Sequence, residues 1–328
     1  MIGQKKSFLA NAGLGFCVAK AKPGDMQHYF FTLALILWGM GAWAQQKAKE
    51  GRKWAEVMRL PAHFYKLNRP GDLPQGLQKW AYGQHERQYF LCLPPKGGKQ
   101  AKAAVFFVHG GGWHLGLPEQ HLPLADLLNE EGYWVIMPAY RLIPSCSGQE
   151  LKQDIMTAFV AANQHLRAYL GEHPQWVIGG TSAGANLGAL LAFDRENLLR
   201  HGLSQKQIKG FFSIVGVLDL AQMPSTKVLK DYAGLHHESS FQQLNPMNYL
   251  RPDEHISVLA IHGTKDGLVH YRAALSFVRK LWQMNANLVH WYLIEGGTHL
   301  SVGSQWYYKP DKACGQAAIL LQWINALQ

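Results

Sequence analysis

Trp176-Val177-Ile178-Gly179-Gly180-Thr181-Ser182-Ala183-Gly184-Ala185-Asn186-Leu187 joins a short apolar run to a stretch rich in alanine and leucine. The apolar residues Trp176–Ile178 read as a strand, and Ala185–Leu199 carries the pattern of a helix. Between them, Gly180-Thr181-Ser182-Ala183-Gly184 is a G-x-S-x-G turn. A sharp strand-to-helix turn needs small neighbours because two backbones cross closely there. It also sets Ser182 at a helix N-terminus, where free N–H groups favour a developing negative charge. Ser182 is therefore a candidate nucleophile. Taken alone, the pentapeptide is also compatible with a glycine-rich packing turn, the weaker of the two readings.

Outward from this turn the chain alternates apolar, β-rich runs with longer helical patterns, as parallel β-α units do. Gln78–Tyr82 and Gln88–Leu93, separated by five polar or small residues, read as an antiparallel hairpin. Ala103–Val108, Trp134–Met137, Trp176–Ile178, Phe211–Val215, Ser257–Ile261 and Leu288–Ile294 read as parallel strands. The expected fold class is α/β, a mostly parallel eight-stranded sheet with helices on both faces. Glu119–Glu131 and Gln149–Tyr169 are two further helical stretches. Residues 220–254 form the longest interruption, on the side where such sheets bind ligands, and read as a small lid or pocket wall.

Three more motifs follow strands. His109-Gly110-Gly111-Gly112-Trp113 comes directly after Ala103–Val108. Successive glycines there serve packing poorly, but they let bare N–H groups approach a ligand, as an oxyanion hole requires. A phosphate-cradling loop is the rival, and neither a G-x-G-x-x-G fingerprint nor a G-K-[ST] ending is present. His262-Gly263-Thr264-Lys265-Asp266 follows the seventh strand and Gly296-Gly297-Thr298-His299 the eighth. Asp266 and His299 thus fall at the same sheet edge as Ser182. His299 is the candidate base and Asp266 the acid that orients it. Asp219, after Phe211–Val215, is the rival acid. His109 and His262 are expected to bond nearby backbone rather than to carry protons.

The formal charge is +10, but residues 1–60 carry nine Lys or Arg against three Asp or Glu. With the body nearly balanced and no recognised nucleic-acid module, binding to nucleic acid is not expected. Cys17, Cys92, Cys146 and Cys314 are widely spaced without a C-x-x-C pair, which disfavours a zinc knuckle, a redox dithiol or a disulfide scaffold. Phe30–Ala44 reads FFTLALILWGMGAWA, and no charged residue occurs from His28 to Gln45. About 15 residues are short for a bilayer-spanning helix, and Ala42-Trp43-Ala44 fits a signal-peptidase site. The favoured expectation is a cleaved export signal starting at Met26, giving a periplasmic or secreted protein with the catalytic domain at 45–328. An uncleaved anchor, the only membrane contact foreseen, and a buried N-terminal helix are the alternatives. Residues Lys47–Lys66 read as a basic, partly amphipathic helix up to Pro61, with Trp54, Val57, Met58 and Leu60 facing the body.

On HGGGW, on Tyr140-Arg141-Leu142 and on G-T-S-A-G, the chain resembles the hormone-sensitive-lipase-like and related esterase branch of the α/β-hydrolases over about residues 78–305. Tyr82-Gly83 with Arg87-Gln88 resembles that family's opening hairpin, although Phe90 stands where an aspartate is common. Thr181 replaces a frequent aspartate and Ser145 a frequent glutamate. The resemblance implies the α/β-hydrolase fold, a small-molecule ester as substrate, and oxyanion donors from the N–H groups of Gly111, Gly112 and Ala183. The chain order Ser182, Asp266, His299 is the order of that fold's triad, and the scheme requires no cofactor and no metal. The H-G-G-x-W pattern also resembles kynurenine formamidases, so an arylformamide substrate stays open, as does a non-catalytic binding protein on this scaffold. If His299 is the base, activity should rise through a midpoint of roughly 6–7, given an ordinary histidine value of about 6.5.

Overall fold

Residues 104–108, Ala-Val-Phe-Phe-Val, send Ala104, Phe106 and Val108 into one apolar cluster and Val105 and Phe107 into another. Successive strand side chains point to opposite faces, so an all-apolar strand must be covered on both. The computed structural model describes Glu56, Arg59 and residues 74–98, 101–307, 312 and 315–327. The apolar run at 30–44, and Trp54, Val57, Met58 and Leu60, lie outside the described residues.

The strands are β1 (Gln78–Ala81), β2 (Tyr89–Leu93), β3 (Ala104–Val108), β4 (Trp134–Pro138), β5 (Trp176–Thr181), β6 (Ile208–Ile214), β7 (Ser257–Gly263) and β8 (Val289–Ile294). They form one sheet in the order β1-β2-β4-β3-β5-β6-β7-β8. Only the β1–β2 and β2–β4 pairings are antiparallel. The hairpin and six parallel strands expected from the sequence are all present.

The described helices are α1 (Leu122–Glu130), α2 (Gly148–Leu170), α3 (Ala183–Phe193), α4 (Arg195–Arg200), α5 (Lys227–Ala233), α6 (Ser239–Leu244), α7 (Arg272–Met284), α8 (His299–Gly303) and α9 (Gly315–Asn325). Helices α2, α3 and α7 cover one face of the sheet; α1, α9 and Val302 of α8 cover the other. None of the described helices is long and apolar enough to cross a membrane. Helix α2 begins where Ser147 and Glu150 exchange hydrogen bonds, each accepting the other's backbone N–H. That reciprocal cap satisfies two N–H groups the helix cannot use itself.

The stretch expected as one helix, Ala185–Leu199, is two. Asp194 breaks it: its carboxylate accepts the Asn197 N–H at 3.0 Å and pairs with Lys152 at 2.7 Å. An aspartate that caps a new helix competes with continuation of the old one.

Candidate active site

Ser182 joins β5 to α3 with φ 53° and ψ −120°, a conformation that non-glycine residues rarely adopt. Such a residue costs about 1–3 kcal/mol and persists only where its surroundings over-determine it. Here the Ser182 N–H donates to the Ile214 carbonyl at 2.9 Å, tying the turn to the end of β6. Gly184, the second residue of α3, lies so close to β3 that a Cβ there would strike the carbonyl oxygens of Val108 and His109. The second glycine of the pentapeptide is thus a steric requirement of strand–helix contact.

The loop after β3 turns back through Gly111 at φ 120° and Gly112 at φ 60°, with the His114 and Leu115 N–H groups donating to the Gly111 carbonyl. Arg87 braces it, donating to the carbonyls of Gly116 (2.6 Å) and Tyr140 (2.8 Å). The Tyr140 hydroxyl donates to the His109 carbonyl at 2.9 Å, and its ring stacks on the imidazole of His109 at 4.2 Å. Burial drives the His109 pKa down to about 3, so its neutral ring bonds the Gly110 carbonyl through Nδ1. Next in the loop, Trp113 stacks on Tyr232 of α5, ring centroids 4.0 Å apart. The Tyr232 hydroxyl in turn donates to Asn186 of α3 at 2.7 Å. Gly111, Gly112 and Ala183 line the same cavity as Ser182 and His299.

Across that cavity, the Ser182 hydroxyl donates to His299 Nε2 at 3.1 Å, and His299 Nδ1–H donates to Asp266 Oδ2 at 2.8 Å. The tautomer follows from these partners. Asp266 Oδ1 accepts the N–H groups of Leu268 (3.0 Å) and Val269 (2.8 Å). His262 Nε2 lies 3.1 Å from Asp266 Oδ2 and 2.9 Å from the Val269 carbonyl. With two acceptors beside it, that nitrogen carries the proton. His262 was expected to bond backbone and does so, but it also holds the carboxylate; its position four residues before Asp266 is the only sequence signal. Burial would raise the Asp266 pKa, yet His299 and His262 outweigh it and hold the group well below the usual carboxylate range. Burial would lower that of His299, but Asp266 reverses the balance and leaves it raised.

Asp219 sits elsewhere in the hydrogen-bond network. Its carboxylate accepts from Ser276 Oγ (2.8 Å), Asn245 Nδ2 (3.2 Å) and the Ala221 N–H (3.1 Å), which knots the loop after β6 to α7.

The cavity holds about 390 Å³. Its wall is mostly apolar: Trp113 and Leu115 from the glycine loop, Met223, Pro224, Val228 and Leu229 from the 220–254 segment, and Leu268 from beyond Asp266. That segment therefore forms one wall, through α5 and the residues before it. Among the described residues no group of three or more His, Cys, Asp or Glu is placed to hold a metal ion.

The family model for BD-FAE matches residues 91–281, more than half of the chain. The chain belongs to the BD-FAE family. Among curated proteins it is similar to the carboxylic ester hydrolase LipN of Mycobacterium tuberculosis, 37% identical over 99 residues, covering 30% of this chain and 26% of that protein. It is also similar to the probable isoprenylcysteine alpha-carbonyl methylesterase ICMEL1 of Arabidopsis thaliana, 25% identical over 66% of this chain and 49% of that one. The chain thus spans from about a quarter to half the length of these relatives. Esterase B of Lactobacillus rhamnosis superposes with a TM-score of 0.66 at 18% identity, covering 84% of this chain and 94% of the other. Esterase 2 of Thermogutta terrifontis gives 0.60 at 21%, covering 78% and 92%. These likenesses establish the α/β-hydrolase fold for the family member described here.

Proposed function

We propose that this protein is a serine hydrolase that cleaves carboxylic esters of small or medium acyl groups. The observation that carries the reading is the chain of hydrogen bonds from Ser182 through His299 to Asp266, with Ser182 and His299 lining a mostly apolar cavity. Ser182 Oγ attacks the ester carbonyl while His299 Nε2 takes its proton. The N–H groups of Gly111, Gly112 and Ala183 hold the resulting oxyanion. His299 passes the proton to the departing alcohol, leaving Ser182 acylated. Water, deprotonated by the same imidazole, then releases the acid and restores the serine. Asp266 keeps His299 in the productive tautomer and stabilises the imidazolium. The named activities of the relatives support an ester as the scissile group, and the apolar wall supports an uncharged acyl chain.

A panel of p-nitrophenyl esters of rising acyl length, run beside an N-formyl arylamine, tests this. Short and medium esters should be hydrolysed, with kcat/KM falling once the chain outgrows the cavity, and Ser182→Ala should remove at least ~10⁴ of the rate. Retention of more than a few per cent by the well-folded variant overturns the nucleophile assignment, and preferred cleavage of the formamide overturns the ester.

A further inference from the structure

Glu56 lies 18 residues before the continuously described chain, yet its side chain is buried at 3% exposure against the far side of the His299–Asp266 pair. One carboxylate oxygen accepts the Gly267 N–H at 2.7 Å, the other the Leu300 N–H at 3.1 Å. Those amides are the ones immediately following Asp266 and His299. On the opposite side the same two loops are laced by two backbone bonds and one threonine hydroxyl. Thr264 N–H donates to the Ile294 carbonyl (3.0 Å), Lys265 N–H to that of Gly297 (2.8 Å), and Gly296 N–H to Thr264 Oγ1 (2.8 Å). The loop after β7 also uses its Leu268 and Val269 amides on Asp266. The Gly267 and Leu300 amides have their partner in Glu56.

We propose that Glu56 is a positioning residue for the hydrolase reaction: its carboxylate clamps the Asp266 and His299 loops together and adds a second negative charge behind the imidazole. This rests on the reading of Ser182, His299 and Asp266 as the catalytic triad. Two N–H bonds to one charged acceptor are stronger than neutral ones and fix two loops through one group. A buried carboxylate stabilises a neighbouring imidazolium, the species formed when Ser182 attacks. In keeping with this, Glu56 contributes to the upward shift of His299, after Asp266. Among the described residues, the charged and titratable groups around that imidazole are Asp266, Glu56 and, through Asp266, His262.

Glu56→Gln preserves size but puts an amide NH₂ where one of the two N–H donors needs an acceptor. Full-length protein and variant are compared per active site, counted by fluorophosphonate burst. The expected result is a loss of about tenfold or more in kcat, since small misplacements of catalytic groups cost up to about 10². KM should stay within about twofold, and the pH midpoint of kcat/KM should move to lower pH. Glu56→Asp keeps the charge and should hold the midpoint closer to the parent's. A purely structural anchor predicts something else: a lowered Tm, with kcat per titrated site and the midpoint both unchanged. That result overturns the proposal. A parallel titration of the His299 imidazole by NMR, in Ser182→Ala with and without Glu56→Gln, needs no turnover. It reads the clamp even if the parent proved inactive on every ester, a failure that would strike the hydrolase reading instead. No displacement of that titration by the Gln substitution overturns the charge role of Glu56.

Discussion

Beside Ser182, the chain after β3 and the turn after β5 approach until a single added Cβ at Gly184 would strike the Val108 and His109 carbonyls. Beside His299, the loops after β7 and β8 meet through a carboxylate: Asp266 takes two backbone N–H groups and two imidazoles, and Glu56 bridges the next amides along. The Ser182 side of the site is held by shape, the His299 side by charge. Shape tolerates no added atom; charge tolerates no lost one. Substitutions that keep volume and remove charge should therefore spare the first side and cripple the second.

The sharpest test is Asp266→Asn. The amide cannot accept at once from both imidazoles and from the Leu268 and Val269 N–H groups, and turned to satisfy those it favours the wrong His299 tautomer, so kcat should fall between ~10² and ~10⁴ with circular dichroism unchanged. Asp219→Asn, in its knot between the β6 loop and α7, should cost less than about tenfold. A reversal of that ranking would move the acid one strand earlier. On the other side, Gly184→Ala should act through the fold, lowering unfolding stability by about 2–3 kcal/mol in a urea titration. A variant as stable as the parent would mean that β3 and α3 can separate freely there.

The His299 side is also where pH enters. In the proposed mechanism only neutral His299 accepts the serine proton, so its raised pKa should place the midpoint of kcat/KM above the ordinary histidine value of about 6.5. A midpoint below 6.5 would show that burial outweighs the carboxylates. Stability runs the opposite way. A group whose pKa is raised by folding stabilises the protein fully below its unfolded pKa and loses that contribution as pH rises through the folded value. Asp266, shifted down, stabilises above the ordinary carboxylate range and loses its contribution as pH falls through its folded pKa. The Tm advantage of the parent over His299→Gln should accordingly shrink from pH 6 to pH 9. Under the proposed mechanism activity should thus be greatest where His299 holds the fold least, and a growing advantage would contradict the shift.

What the sequence reveals divides along the same line. Shape leaves local marks: Gly180, Gly184 and the Gly110–Gly112 run are readable because a close approach dictates a residue type at a fixed spacing. Asp266 and His299 were legible through their places after the last two strands. Glu56 was not, because its partners are backbone amides more than 200 residues away, and an amide prescribes no residue type. Its own stretch shows mainly the apolar pattern of Trp54, Val57, Met58 and Leu60. The start of β6 at Ile208 was missed for a related reason. Lys209 and Gly210 interrupt the apolar run, yet Gly210 pairs with both Val177 and Ser257. The break at Asp194 was hidden because residues 185–199 contain no proline and keep a helical rhythm across it.

The stack of Trp113 on Tyr232 joins the glycine loop to the cavity wall, and the neighbouring His114 and Asp231 stand 3.6 Å apart across the same gap. Anyone grafting a different 223–244 segment to admit bulkier substrates would therefore retune two properties at once. The graft would set the volume of the cavity, in the proposed function the room for the acyl chain, and through Trp113 it would also reset the amides of Gly111 and Gly112. Keeping an aromatic ring at position 232, still bonded to Asn186, is the way to change selectivity while leaving the rate of acylation where it was.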